Sequence, residues 1–174
     1  MRLSQSSLSL KVRQIIIFVG IIAVVLPAIF LSIEQAFKRS QIKALEQQLE
    51  AHIYTLIGEL DLESEDVGIT GGFLPPILNQ SDSGTLAVLE QDGIIIWRSD
   101  SALGYNPQIT TRPSNSGEGL FRFERGFWRY SYGLFFEGEF GTQNLLLHVM
   151  QAQSVLDSQV SEFQGIILRW FLLV

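Results

Sequence analysis

The sequence predicts an α+β domain with a central antiparallel sheet and a long N-terminal helix, flanked by transmembrane helices. Three observations predict it. The nineteen residues from Ile15 to Ile33 carry no charged side chain, and a second apolar run occupies Gly165 to Val174. Between them, Ile42, Leu45, Leu49, Ile53, Leu56 and Leu60 recur at the 3.6-residue spacing of one helix face. Further on, Asp92-Gly93 and Arg125-Gly126 each separate two runs rich in β-branched and aromatic residues, as hairpin turns do.

The apolar runs set the organisation. At about 1.5 Å per helical residue the first run reaches roughly 28 Å, enough to cross a hydrocarbon core. The second reaches only about 15 Å by Val174 and reads as a span cut short. The expected segments are residues 1–14 as a cytoplasmic N-terminus, 15–33 as the first membrane helix, 34–164 as a periplasmic domain and 165–174 as the start of a second membrane helix. Arg2, Lys11 and Arg13 precede the first run with no acidic residue among them, which places the N-terminus in the cytoplasm. Lys38, Arg39 and Lys43 follow the run, accompanied by Glu34 and Glu46. A cleaved signal peptide would have a shorter apolar core and a small-x-small site, and Leu31 to Ala36 is a poor one. Pro27 should kink the helix, which membrane neighbours tolerate. Arg169, four residues into the second run, can snorkel to the interface beside Trp170 or mark a functional intramembrane charge.

Within the middle domain, Phe37 to Leu60 is expected as a helix, with Glu46, Gln47, Gln48 and Glu50 opposite the apolar stripe. Ile42, Leu45, Leu49, Ile53 and Leu56 on that stripe suit either a dimer interface or the domain's own core. Asp61 to Gly84, with Gly71-Gly72 and Pro75-Pro76, is expected as a loop. Strands follow at Thr85–Glu90 and Ile94–Arg98, then a second loop over Ser101–Gly119. Leu120–Glu124 and Phe127–Phe136 form the second hairpin, and Asn144–Gln151 the last strand. A helical pattern from Ala152 onward leads into the second apolar run.

Composition narrows the function classes. Residues 34–164 contain 18 acidic and 8 basic residues, a net charge of −10. Such a domain repels nucleic acid phosphates and, without bridging cations, an anionic membrane surface. The absence of cysteine excludes disulfides, thiol catalysis and thiolate metal sites. There is also no Gly-rich phosphate loop, no zinc-spaced histidine pair and no Gly-x-Ser-x-Gly elbow, so no catalytic site is visible.

Glu59, Asp61, Glu63, Glu65 and Asp66 place five carboxylates within eight residues. Hard cations such as magnesium and calcium take several oxygen ligands, so this segment is a candidate for weak cation contact. Its spacing fits no EF-hand loop, and a solvated acidic loop is the simpler reading. His52 borders the helical stripe, and His148 shares strand parity with Leu146 and Met150. Either titrates near neutrality if solvated, or serves structurally if buried.

Several strings resemble the input region of PhoQ-type sensor histidine kinases. They are the basic lead Leu8-Ser9-Leu10-Lys11-Val12-Arg13, the strand pair from Thr85 to Trp97 with its Asp-Gly turn, and Leu145-Leu146-Leu147-His148-Val149 followed by Val155-Leu156. The resemblance implies a PAS-like periplasmic fold of the PDC type that dimerises through its first helix. It implies a two-component sensor relaying divalent-cation, acidic-pH or cationic-peptide signals across the bacterial inner membrane. The implied partners are membrane lipids, a second copy of the chain and a cytoplasmic response regulator reached through a kinase domain that this chain lacks. ATP would belong to that domain alone, and no nucleic acid is implied. The chain departs from the pattern in one respect: Ser99 to Thr142 holds only Asp100, Glu118, Glu124, Glu137 and Glu139, without a dense membrane-facing acidic run. An inner-membrane scaffold protein, or the input of a chemoreceptor or cyclic-nucleotide enzyme, shares the same layout of anchors and domain.

Overall fold

The computed structural model describes residues 9–62, 67–70, 72–105, 107, 109–113, 117–138 and 141–173. Helix α1 covers Leu10–Gly58, with Pro27 inside it. Among the described residues α1 is the one helix long and apolar enough to cross a membrane by length and composition. The chain divides into two compact units, Met1–Ser40 and Gln41–Val174. In the first, the apolar side chains of α1 stand open, as Ile15, Phe18 and Val24 illustrate.

The second unit is α+β. Two short strands, β1 (Leu60–Asp61) and β2 (Gly68–Ile69), pair antiparallel where the sequence suggests only a loop. Five further strands, β3 (Thr85–Gln91), β4 (Ile94–Arg98), β5 (Gly119–Glu124), β6 (Phe127–Gly138) and β7 (Gly141–Ala152), form one antiparallel sheet in the order β4-β3-β7-β6-β5. Helix α2, Gln153–Leu173, follows β7 without a break.

Both expected hairpin turns have the required backbone. Asp92 and Gly93 sit at φ 50° and 89°, and Arg125 and Gly126 at 52° and 84°. Two successive positive φ values give a two-residue loop whose twist matches that of the strands it joins. β7 lies between β3 and β6, so the last strand ties the two hairpins together. Its register pairs His148 with Val88 on one side and Ser131 on the other. Its end is fastened on both sides as well: Ala152 N–H donates to Gly84 O at 2.8 Å and Gln153 N–H to Gly126 O at 2.9 Å.

Strand alternation divides the sheet into two faces. One face carries Ala87, Leu89, Leu145, Leu147, Val149 and Tyr130, packed with the end of α1. Leu45, Leu49, Ile53 and Leu56 are buried there, the last three with no exposed area, while Ile42 is half-buried. A side chain enclosed by its own chain, wholly as for Leu49, Ile53 and Leu56 or nearly so as for Leu45 at 5% exposure, has little or no surface to offer a second copy. Of the two roles open to the stripe, these four residues therefore fill the intramolecular one. The opposite face carries Leu86, Val88 and Met150 and is covered by Ala102, Tyr105 and Ile109 from the segment after β4.

Candidate functional site

Charge is concentrated on the face away from α1. Glu90, His148, Ser131 and Arg129 all have inward strand parity there, and all four are buried. A buried ion is tolerated only when paired, and each charge here has its partner. Arg112 Nη2 donates to Glu90 Oε1 at 2.6 Å, bringing the covering segment down onto β3. Arg129 Nη2 lies 2.8 Å from Glu124 Oε2 and donates to Thr111 O at 2.7 Å. Thr110 Oγ1 donates to the other oxygen of Glu124.

His148 occupies the centre. Its Nδ1 is 2.8 Å from Ser131 Oγ, while Nε2 is 3.8 Å from Glu90 Oε2, too far for a hydrogen bond. Burial, followed by repulsion from Arg129 and Arg112, pushes its pKa down to about 3. The ring is therefore neutral at physiological pH, which makes His148 a structural histidine in this state. Burial also lowers Arg129, opposed by the attraction of Glu124 and Glu90.

Beside this cluster, between the β3–β4 hairpin and the covering segment, lies a cavity of about 380 Å³. Glu90 and Arg112 form its polar wall, Arg98 borders it, and Ile94, Ile95 and Ile109 supply apolar lining. Arg98 Nη1 donates to Tyr105 O at 2.8 Å. A second, far smaller cavity of about 20 Å³ lies near Glu124 and Arg129, about enough for one water. The larger one is an open cleft in which three charged side chains, Glu90, Arg98 and Arg112, stand beside Ile95, Pro107 and Ile109, and its volume suffices for a small molecule.

The acidic segment is placed in part. Glu59 Oε2 accepts from Thr70 Oγ1 at 3.3 Å and from Phe73 N–H at 3.2 Å, bracing the chain after α1. Asp61 ends β1. Glu63, Glu65 and Asp66 lie outside the described residues. Among the described residues, no three His, Asp or Glu side chains gather as a metal-binding group. His52 is half-buried, and burial lowers its pKa.

Of the site residues, only His148 stood out in the sequence by its parity. Glu90, Arg112, Arg129, Ser131 and Glu124 did not. The missed signal was a charged residue in the inward phase of an apolar strand: Glu90 follows Leu86 and Val88 at intervals of two, and Arg129 lies two residues from Phe127 and from Ser131. Comparison of the chain with family models, curated proteins and solved structures finds no match.

Proposed function

We propose that this chain is the membrane-anchored input region of a sensor, a PAS-like domain of the PDC type resembling those of PhoQ-type two-component histidine kinases. The observation that carries the reading is α1. Its early part holds the nineteen-residue uncharged run, and its last turns supply Leu49, Ile53 and Leu56 to the core of a sheet domain. An anchor that doubles as core structure suits a module whose state must be felt at the membrane. The charged cavity on the opposite sheet face gives the module something to respond to. In this reading the domain faces the periplasm of a bacterial inner membrane, and a kinase domain outside this chain passes the signal to a response regulator. Self-association belongs to the same reading, with its contacts on exposed α1 positions such as Gln47 and Gln48 rather than on the buried stripe.

A reporter fusion tests the topology. Alkaline phosphatase joined after Gln80 is expected to be active, and a reporter that works only in the cytoplasm is expected to be silent there. The reverse pattern would remove the sensor reading. Grafting the chain onto the cytoplasmic part of a characterised sensor kinase tests the output: the chimaera should assemble in the membrane and phosphorylate its response regulator.

A further inference from the structure

The cavity beside Glu90 has an unusual electrostatic condition. Glu90 is 3% exposed and must keep a cationic partner, because an unpaired carboxylate at that depth is strongly disfavoured. The partner it has, Arg112, has a side chain that is 50% exposed. The two halves of this ion pair therefore differ. Glu90 is fixed in a central strand, whereas Arg112 belongs to the covering segment and reaches water.

A small anion on the remaining donors of Arg112 would set a second negative charge against one guanidinium and weaken its hold on the buried carboxylate. A simple amine could replace Arg112 at Glu90 but would leave no anion for the displaced guanidinium. A ligand bearing both an ammonium and a carboxylate exchanges with the pair without leaving either charge unsatisfied. Its ammonium takes Glu90 and its carboxylate takes Arg112, whose planar fork suits carboxylates. The rest of the lining is Gly93, Arg98, Pro107 and three isoleucines, of which Ile94 is 69% exposed, so an apolar side chain would lie against Ile95, Pro107 and Ile109. About 380 Å³ accommodates a molecule of that size.

We infer that the cavity between the β3–β4 hairpin and the covering segment binds a free α-amino acid with an aliphatic side chain, held by Glu90 and Arg112. This rests on the sensor reading for its consequence, but binding itself can be measured independently of signalling. Arg129 and Glu124 are engaged with each other and with Thr110 and Thr111, and line the separate small cavity rather than this one. Arg98 adds a positive charge at the rim while its Nη1 stays on Tyr105 O.

The test uses the full chain in detergent or nanodiscs, with titration calorimetry and thermal shift. The probes are L-leucine and L-isoleucine, with isovaleric acid, 4-methylpentanoic acid, N-acetyl-leucine, isoamylamine and leucine methyl ester as single-charge controls. The free amino acids are expected to bind, with each control about tenfold or more weaker, since every control removes one charge-assisted contact. Arg112→Gln removes the cation paired with buried Glu90, so its melting transition is measured first. The folded variant should bind leucine about tenfold or more weakly, and Arg112→Lys, which keeps the charge, should recover part of the loss. Glu90→Gln should remove the preference for leucine over the carboxylic acids, provided its melting transition shows a folded protein. The inference is overturned by carboxylic acids binding as tightly as leucine, by R112Q leaving leucine affinity unchanged, or by no binding of either amino acid at millimolar concentration. A failed titration beside a periplasmic reporter result removes the ligand class and leaves the sensor reading in place. A cytoplasmic reporter result beside positive binding does the opposite.

Discussion

Tyr130 on β6 donates its hydroxyl to Glu50 of α1 at 3.1 Å, fastening the helix to the sheet from the core side. The phenol sits against the Cα of Gly119, where any side chain would collide with it. Burial, then the hydrogen bond and charge of Glu50, push the Tyr130 pKa up to about 12. The fastening therefore needs three residues from three elements: a carboxylate on α1, a phenol on β6 and a glycine on β5.

Tyr130→Phe should lower stability by about 1 kcal/mol, the usual worth of one such hydrogen bond. Denaturant unfolding at pH 7 measures it. The folded pKa lies above the unfolded value near 10, so the tyrosine's contribution is complete below pH 10 and is lost as pH rises toward 12. Y130F should reduce that alkaline loss, and an unchanged alkaline limb would show that Glu50 does not hold the phenol.

His148 predicts an acid limb of the opposite sense. Its folded pKa, about 3, is depressed below the unfolded value of 6.5. Between those limits the unfolded chain binds the proton and the folded one does not, so stability is intact above pH 6.5 and falls as pH drops. The slope is up to about 1.4 kcal/mol per pH unit from this one group. His148→Gln should flatten the pH 6 to 4 portion of the stability curve, measured by urea midpoints. Identical slopes in the two proteins would mean that the buried ring already carries its proton.

The α1 stripe makes a labelling prediction. The chain contains no cysteine, so single replacements report cleanly. Cys at Leu49 or Ile53 should react with a maleimide about tenfold or more slowly than Cys at Gln47 or Gln48, because access requires local opening. Leu49→Ala should cost about 2–5 kcal/mol, the range for a buried leucine. Equal labelling at all four sites would place the stripe on a surface.

Gly84 stands at φ +70°, and a Cβ there would come within 2.7 Å of Val155 Cγ2. Gly84→Ala should therefore destabilise by about 1–3 kcal/mol, through left-handed strain and overpacking together. Adding Val155→Ala should recover the packing part and leave the backbone part, a coupling that a double-mutant cycle resolves. Strict additivity would show that the two residues do not meet.

Magnesium and calcium should bind the chain weakly and without selectivity, as scattered carboxylates do. Changing Glu59, Asp61, Glu63, Glu65 and Asp66 to their amides should alter the calorimetric response only modestly. A stoichiometric, micromolar isotherm abolished by those changes would establish a dedicated cation site instead.

Local chemistry made much of the fold legible, and long-range pairing made the rest invisible. Asp92-Gly93 and Arg125-Gly126 announce their hairpins because positive φ is written into adjacent residues. The helical stripe is equally plain in periodicity. Nothing in a period says whether a stripe meets a sheet or a twin, and only the burial of Leu49 and Ile53 shows which. The insertion of β7 between β3 and β6 joins residues about sixty apart in sequence, such as Val88 and His148, and no local signal encodes it. The site followed the same rule. Glu90 and Arg112 are 22 positions apart and become partners only when the covering segment folds over the sheet.

The junction of β7 and α2 has a mechanical consequence. Ala152 and Gln153 are adjacent residues of different elements, and their N–H groups are held by Gly84 on one side and Gly126 on the other. A joint gripped from both flanks cannot swivel, so it offers no slack in which a displacement could be lost. A displacement at either flank of the sheet would therefore bear directly on the first turn of α2. The carbonyls at Gly84 and Gly126 thus behave as two jaws that hold the start of α2 to the sheet from either side.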